Sequence, residues 1–175
     1  PEISESLTEY FEAEGVAVRT GLSYVGVAKT NEGVSLTISI GSDEEVIHAG
    51  HLLLTTGRKA NTGTLGLEDA GIETLGNGGI VVDERMQTSK PGVYATGDVT
   101  GPPWLAHKAS HEGVMVAELV AGGHPHPIKP NSVAGCTYCQ PQVASVGLTE
   151  ARAKEQGHEV KVGKFPFIGN GKAIA

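Results

Sequence analysis

The sequence predicts an α/β fold. Three observations carry it: apolar residues at helical spacing near the start, two β-branched runs joined by a turn, and an almost wholly apolar six-residue run of the kind covered on both faces of a sheet. Ile3, Leu7, Tyr10 and Phe11 recur at helical spacing, and Gly15 ends that helix. Ser6 with Glu9 has the spacing of a capping box, although it sits a turn late. "VAVRT" (16–20) reads as a short strand. "YVGVAKT" (24–30) and "VSLTISI" (34–40), separated by "NEG" (31–33), read as a hairpin. "VIHAGHLLLTTG" (46–57) runs on into "HLLLTT" (51–56), the buried strand. The acidic stretch "SDEEV" (42–46) reads as a solvated turn. In this order the elements make up the back half of an α/β nucleotide-binding domain.

A composition shift follows. Residues 57–79 are rich in Gly, Thr and Asn and read as a long ordered loop with at most one short helix. Within it "GNGGIV" (76–81) is a turn, because it follows no strand, opens no helix and has Val81 where a third glycine would be needed. "IVVD" (80–83) and "GVYATGD" (92–98) read as strands, and Leu105 to Val120 as a helix stopped by Gly122 and Gly123. "HPHPIKP" (124–130), with three prolines, is the linker candidate. Beyond it "QVASVG" reads as a strand, and Thr149 caps a short helix that ends before Gly157. "EVKVGKFPF" (159–167) alternates and reads as a further strand.

Bulk properties narrow the classes. Hydrophobic content of 39% makes a buried core possible in 175 residues. A net charge of -7 without clustered Lys and Arg argues against nucleic-acid binding. No apolar run approaches the roughly 20 residues of a membrane helix. Two cysteines do not make a disulfide scaffold, so a reducing, cytoplasmic location is expected. The chain opens on Pro1 and stops at Ala175 within a patterned stretch, and is expected to be an internal fragment.

Chemistry concentrates in "YATGDVTGPPWLAHKASHEG" (94–113). Asp98 ends a predicted strand, where it either caps the next turn or accepts hydrogen bonds from ligand hydroxyls at the sheet's C-terminal edge. Seven residues on, the helix beginning at Leu105 presents unpaired N–H groups and a positive dipole end. Such an end favours a group that gains negative charge, as a flavin ring does at its N1/C2-oxygen edge on reduction. His107 and His111 share one helix face: His107 is a candidate ligand contact and His111 a surface residue, with no third metal ligand at helical spacing. Cys136 and Cys139 form "CTYC", but no helix opens there and no second ligand pair follows, so they read as structural or incidental.

Four ordered blocks, "LLLTTGRKANT", "GGIVVDERMQTSKPGVYATGDV", "PPWLAHKASHEG" and "CTYCQPQVASVGLTEARAKEQG", together resemble the flavin-dependent disulfide reductases (class I pyridine nucleotide-disulfide oxidoreductases), most closely their dihydrolipoamide dehydrogenase branch. The resemblance implies partial FAD- and NAD-binding domains followed by the start of an α+β dimerisation domain. The implied division is 1–56 for the end of the NAD domain, 57–123 for FAD-binding chain, 124–130 for a linker and 131–175 for the dimerisation domain. It implies that Asp98 binds the ribityl and pyrophosphate portion of FAD. Leu105 and Ala106 would form the helix start facing the flavin, and Gly57 would allow close backbone approach to a cofactor. His107 stays a candidate contact. An intact enzyme of this kind would be a homodimer serving lipoyl domains of 2-oxoacid dehydrogenase complexes or the glycine cleavage system.

The sequence departs from the family pattern as well. It contains no G-x-G-x-x-G, no C-x-x-x-x-C and no C-terminal His–Glu pair, so no catalytic residue is assigned within it. Ala60 stands where the family usually has Pro. A mercuric reductase, similar in "TGRKANTGTLGLEDAGI", is the nearest alternative, and a non-catalytic nucleotide-binding or dimerisation module is the alternative of another class.

Overall fold

A computed structural model describes residues 2–174. Pro1 and Ala175, the outer ends of the first and last expected segments, lie outside the described residues. The chain divides into two compact units: residues up to Lys59 with Tyr138–Val143, and Ala60–Thr137 with the chain from Ala144 onward.

The first unit begins with α1, Glu2–Ala13. Gly15, at φ 84°, takes the left-handed position after it, and Val16 N–H returns to the Phe11 carbonyl. The helix starts one turn earlier than the Ser6–Glu9 pair implied, so Ser6 lies inside α1 and caps nothing. Strands β1 (Ser23–Thr30), β2 (Gly33–Ile40) and β3 (Asp43–Ala49) form an antiparallel meander. The expected hairpin is present, with Thr30 opposite Gly33 across the Asn31–Glu32 turn. Ile38 is its fully buried side chain.

Three expectations in this unit are corrected. Asp43–Val46, expected as a solvated turn, belongs to β3, whose edge position lets acidic side chains stay in water while the backbone pairs with β2. Residues 16–20 form no strand. Arg19 instead meets Glu45 of β3 through its side chain at 2.9 Å, an exposed pair contributing at most about 1 kcal/mol. Residues 51–56 also form no strand, and Leu53 and Leu54 are 85% and 68% exposed. The reason is the same in both places. A strand exists only as part of a ladder, and among the described residues nothing pairs with either segment.

Gly33 shows how tightly the meander is closed. Its φ is 145°, and a Cβ there would overlap the Ala49 carbonyl oxygen and lie 2.8 Å from Gly50 Cα. Gly33→Ala is therefore expected to part the Val34–Ala49 end of the β2–β3 ladder, costing about 1–3 kcal/mol through backbone strain alone. Amide exchange across β2 and β3 reads this directly, and unchanged protection at that end would contradict it.

In the second unit, residues 60–96 are ordered by turns rather than by elements, as the glycine-rich composition implied for 57–79. Thr62 Oγ1 donates to the Gly78 carbonyl at 2.6 Å, and Asp83 Oδ1 accepts from the Arg85 and Gln87 amides at 2.8 and 2.9 Å. The expected strands at 80–83 and 92–98 are absent. The chain makes isolated antiparallel bridges, Thr74–Ile80, Val82–Thr88 and Gln87–Tyr94, because it reverses at Asp83 and again before Val93, too soon for a ladder to extend. Asp98 consequently lies in a 3-10 turn, Gly97–Thr100, not at a strand end.

Helix α2, Ala106–Val120, follows the predicted span. It ends in a double cap, Gly122 N–H to the Leu119 carbonyl and Gly123 N–H to the Glu118 carbonyl, with Gly122 at φ 85°. Short strands β4 (Gly135–Thr137) and β5 (Val143–Ser145) pair with each other, and the three residues of β4 are too few to carry a periodic signal in the sequence. Helix α3, Glu150–Glu155, is capped by Thr149, whose hydroxyl accepts from the Arg152 amide. On α3, the hydrogen bond and charge of Lys154 hold the Glu150 carboxyl below its usual range. Residues 159–167, expected as a strand, are not one: their apolar alternation has no covering sheet among the described residues, and Val162, Phe165 and Phe167 are exposed. A 3-10 turn at Phe167–Gly169 and a one-turn helix α4, Gly171–Ile174, complete the unit.

Candidate functional site

The site is built where the 3-10 turn meets α2. Gly97 sits at φ 86°, a left-handed conformation that costs other residues energy, and a Cβ there would come into van der Waals contact with Ala109 of α2 at 3.4 Å. That backbone turns Asp98 outward: the residue is exposed, its carbonyl accepts from the Gly101 amide at 3.2 Å, and the next carbonyl, of Val99, accepts from Ile80 N–H at 2.8 Å. Pro102, Pro103 and Trp104 then lead to Leu105, the extended residue before α2. No side chain caps α2 at Leu105, so the first-turn N–H groups and the positive end of the helix dipole keep the capacity to face an anionic group.

A buried ion pair ties the two pieces together. Lys108 and Glu112, one helical turn apart on α2, are 9% and 3% exposed and 2.8 Å from each other. Together with Met115 they form the inward face of α2. Neither charge stands out in the sequence as a site residue. The available signal was their i, i+4, i+7 register with Met115, which places opposite charges on the same stripe as an apolar anchor.

His107 is exposed, and its Nε2 lies 2.8 Å from the Ala134 carbonyl. A carbonyl only accepts, so Nε2 carries the proton in this contact. His107, His111, Val114, Met115 and Glu118 line one wall of an open groove of about 750 Å³, faced by Pro125 to Lys129. Among the described residues, no group of three or more His, Cys, Asp or Glu side chains could hold a metal ion. Cys136 is exposed, and Cys139 Sγ donates to the Pro141 carbonyl at 3.1 Å.

Of the residues singled out in the sequence, Asp98, Leu105, Ala106 and His107 fall in one unit, on one turn and the helix end after it. Gly57 belongs to the other unit, where its φ of 125° is a conformation that favours glycine.

Comparison with known proteins places two family patterns along the chain. The pattern described as pyridine nucleotide-disulphide oxidoreductase matches residues 1–113, and the dimerisation domain of the same family matches residues 133–175. A dihydrolipoyl dehydrogenase of Zymomonas mobilis is 45% identical over 99% of this chain, which covers 38% of that protein. A mercuric reductase of Staphylococcus aureus is 40% identical over 95% of the chain, which covers 30% of it. Among solved structures, LpdA from Mycobacterium tuberculosis matches with a TM-score of 0.85 and 29% identity over 97% of this chain, and 36% of LpdA is covered. The chain thus spans about a third of the length of the relatives it matches. No helix among the described residues is long and apolar enough to cross a membrane.

Proposed function

The chain belongs to the pyridine nucleotide-disulphide oxidoreductase family, and from that premise we propose that it is part of a dihydrolipoyl dehydrogenase that uses FAD and NAD. The observation that carries the reading is the 45% identity to a protein of that name along 99% of the chain. The enzyme would oxidise dihydrolipoamide to lipoamide, passing two electrons through a redox disulfide and FAD to NAD. In this proposal the chain supplies cofactor binding and the start of the homodimer surface, and no catalytic group. Residues 1–56 would close the NAD domain, 57–123 bind FAD, 124–130 link, and 131–175 open the dimerisation domain. Lipoyl domains of 2-oxoacid dehydrogenase complexes or of the glycine cleavage system would be the partners, in the cytoplasm.

The residues present fit FAD. An uncapped helix N-terminus suits the edge of the ring that gains negative charge, and the exposed carboxylate of Asp98 suits the hydroxyls of the cofactor's tail. Leu105 and Ala106 would offer backbone to the ring and His107 would flank it; Gly57, in the other unit, has a backbone conformation that would suit close approach to a nucleotide. Bound FAD would supply the electron transfer between dithiol and nicotinamide, while these residues bind and orient it.

Asp98→Ala in the complete enzyme is expected to weaken FAD retention by about 10–100-fold, the loss of charge-assisted hydrogen bonds, with the far-UV spectrum unchanged. A variant that purifies with full flavin would remove Asp98 from the site. The coding sequence on both sides of this segment tests the larger reading. An upstream G-x-G-x-x-G followed by C-x-x-x-x-C, with a downstream His–Glu pair, is expected. A start immediately before Pro1 with a stop immediately after Ala175 would overturn it. Mercuric reductase is the second reading, favoured by the 40% identity, and cysteines downstream in place of the His–Glu pair would select it.

A further inference from the structure

Lys108 and Glu112 are buried charges that the proposed function leaves unused. Their contacts do not scatter. Glu112 accepts from the Gly97 amide through Oε2 at 2.7 Å and from Lys108 Nζ through Oε1 at 2.8 Å. Lys108 Nζ donates in addition to the Gly101 carbonyl and Thr100 Oγ1, both at 3.2 Å, and lies 3.4 Å from the Gly97 carbonyl. Thr100 Oγ1 itself donates to the Gly97 carbonyl at 2.9 Å. Every one of these groups on the turn belongs to Gly97, Thr100 or Gly101. Asp98 is carried between them, held at both ends by one ammonium–carboxylate pair rooted in α2.

A buried pair is a poor choice for stability alone, because apolar residues of the same volume often serve as well or better. What it supplies is one allowed register: an ammonium with three hydrogens and a carboxylate with two oxygens are satisfied together only when turn and helix stand in this relation. We infer that Lys108 and Glu112 are positioning residues that fix the Asp98 turn against the N-terminus of α2 and so set the affinity for the flavin cofactor. The inference rests on the flavin reading above. It assigns the pair an effect exerted through Asp98 and no contact with the cofactor.

The test is FAD titration of the flavin-stripped complete enzyme, read by flavin absorbance and fluorescence, in a cycle of Glu112→Gln, Asp98→Ala and the double variant. Glu112→Gln is expected to weaken FAD binding on the order of 10-fold, the size typical of residues that orient a binding group. In the Asp98→Ala background it should add no more than about 2-fold, the scatter of uncoupled sites. Met115→Ala, which loosens the same helix face and removes none of the hydrogen bonds of the clamp, should leave FAD affinity unchanged. Thr100→Val removes one acceptor of Lys108 and keeps the ion pair. It should weaken FAD binding in the same direction by less, and it carries the test if Glu112→Gln does not fold. Wild-type affinity in both Glu112→Gln and Thr100→Val, or a full 10-fold loss repeated on top of Asp98→Ala, would overturn the inference alone. A wild-type enzyme that takes up no FAD would overturn the flavin reading and this inference with it.

Discussion

Glu112→Leu is expected to destabilise the complete protein by about 3–5 kcal/mol, and the double variant with Lys108→Met to recover much of that loss. The single change leaves the Lys108 ammonium buried without its carboxylate and strips the Gly97 amide of its acceptor at 2.7 Å. An orphaned buried amide alone costs about 1–3 kcal/mol. The double variant removes the uncompensated charge and leaves the Gly97 amide and the Gly101 carbonyl without these partners. A protein of several domains does not unfold in one step, so the local readout is preferred. Hydrogen exchange at Gly97 and along the first turns of α2 should accelerate strongly in Glu112→Leu and partly recover in the double variant. A single variant that exchanges as slowly as wild type would show that the pair does not hold the turn.

The second large effect concerns the 175-residue chain by itself. Without flavin and without further chain it is expected to show no cooperative thermal transition, to bind a hydrophobic dye and to aggregate. The buried apolar side chains among the described residues are Ile38, Ile80, Ala95 and Met115, while Leu53, Leu54, Phe165, Phe167 and Ile168 are exposed. Apolar surface on that scale marks sites meant to be covered. Differential scanning calorimetry decides the matter. A sharp, flavin-free transition from a monodisperse sample would favour the non-catalytic module instead.

How far each element could be read from the sequence follows from the range of its signal. Helices α1, α2 and α3 were legible because their determinants lie within a few residues: apolar spacing, Thr149 before α3, Gly15, Gly122 and Gly157 after the ends. The β1–β2 hairpin was legible because its two strands are neighbours in sequence. The strands expected at 16–20, 51–56, 80–83, 92–98 and 159–167 failed together for one reason. Apolar, β-branched composition makes a segment fit for a sheet, but a strand requires a partner, and the partner is not local information.

The site divides along the same line. The sequence by itself determined the family resemblance, the helix that begins after Leu105 and the carboxylate at Asp98 that precedes it. Only the tertiary structure decided that Asp98 rides on a 3-10 turn and that this turn is clamped by Lys108 and Glu112. The clamp joins Gly97 to residues eleven and fifteen positions away, across a chain reversal. Its energetics set the cost of desolvating two charges against their mutual attraction and hydrogen bonds, a property of the assembled geometry that no single residue carries.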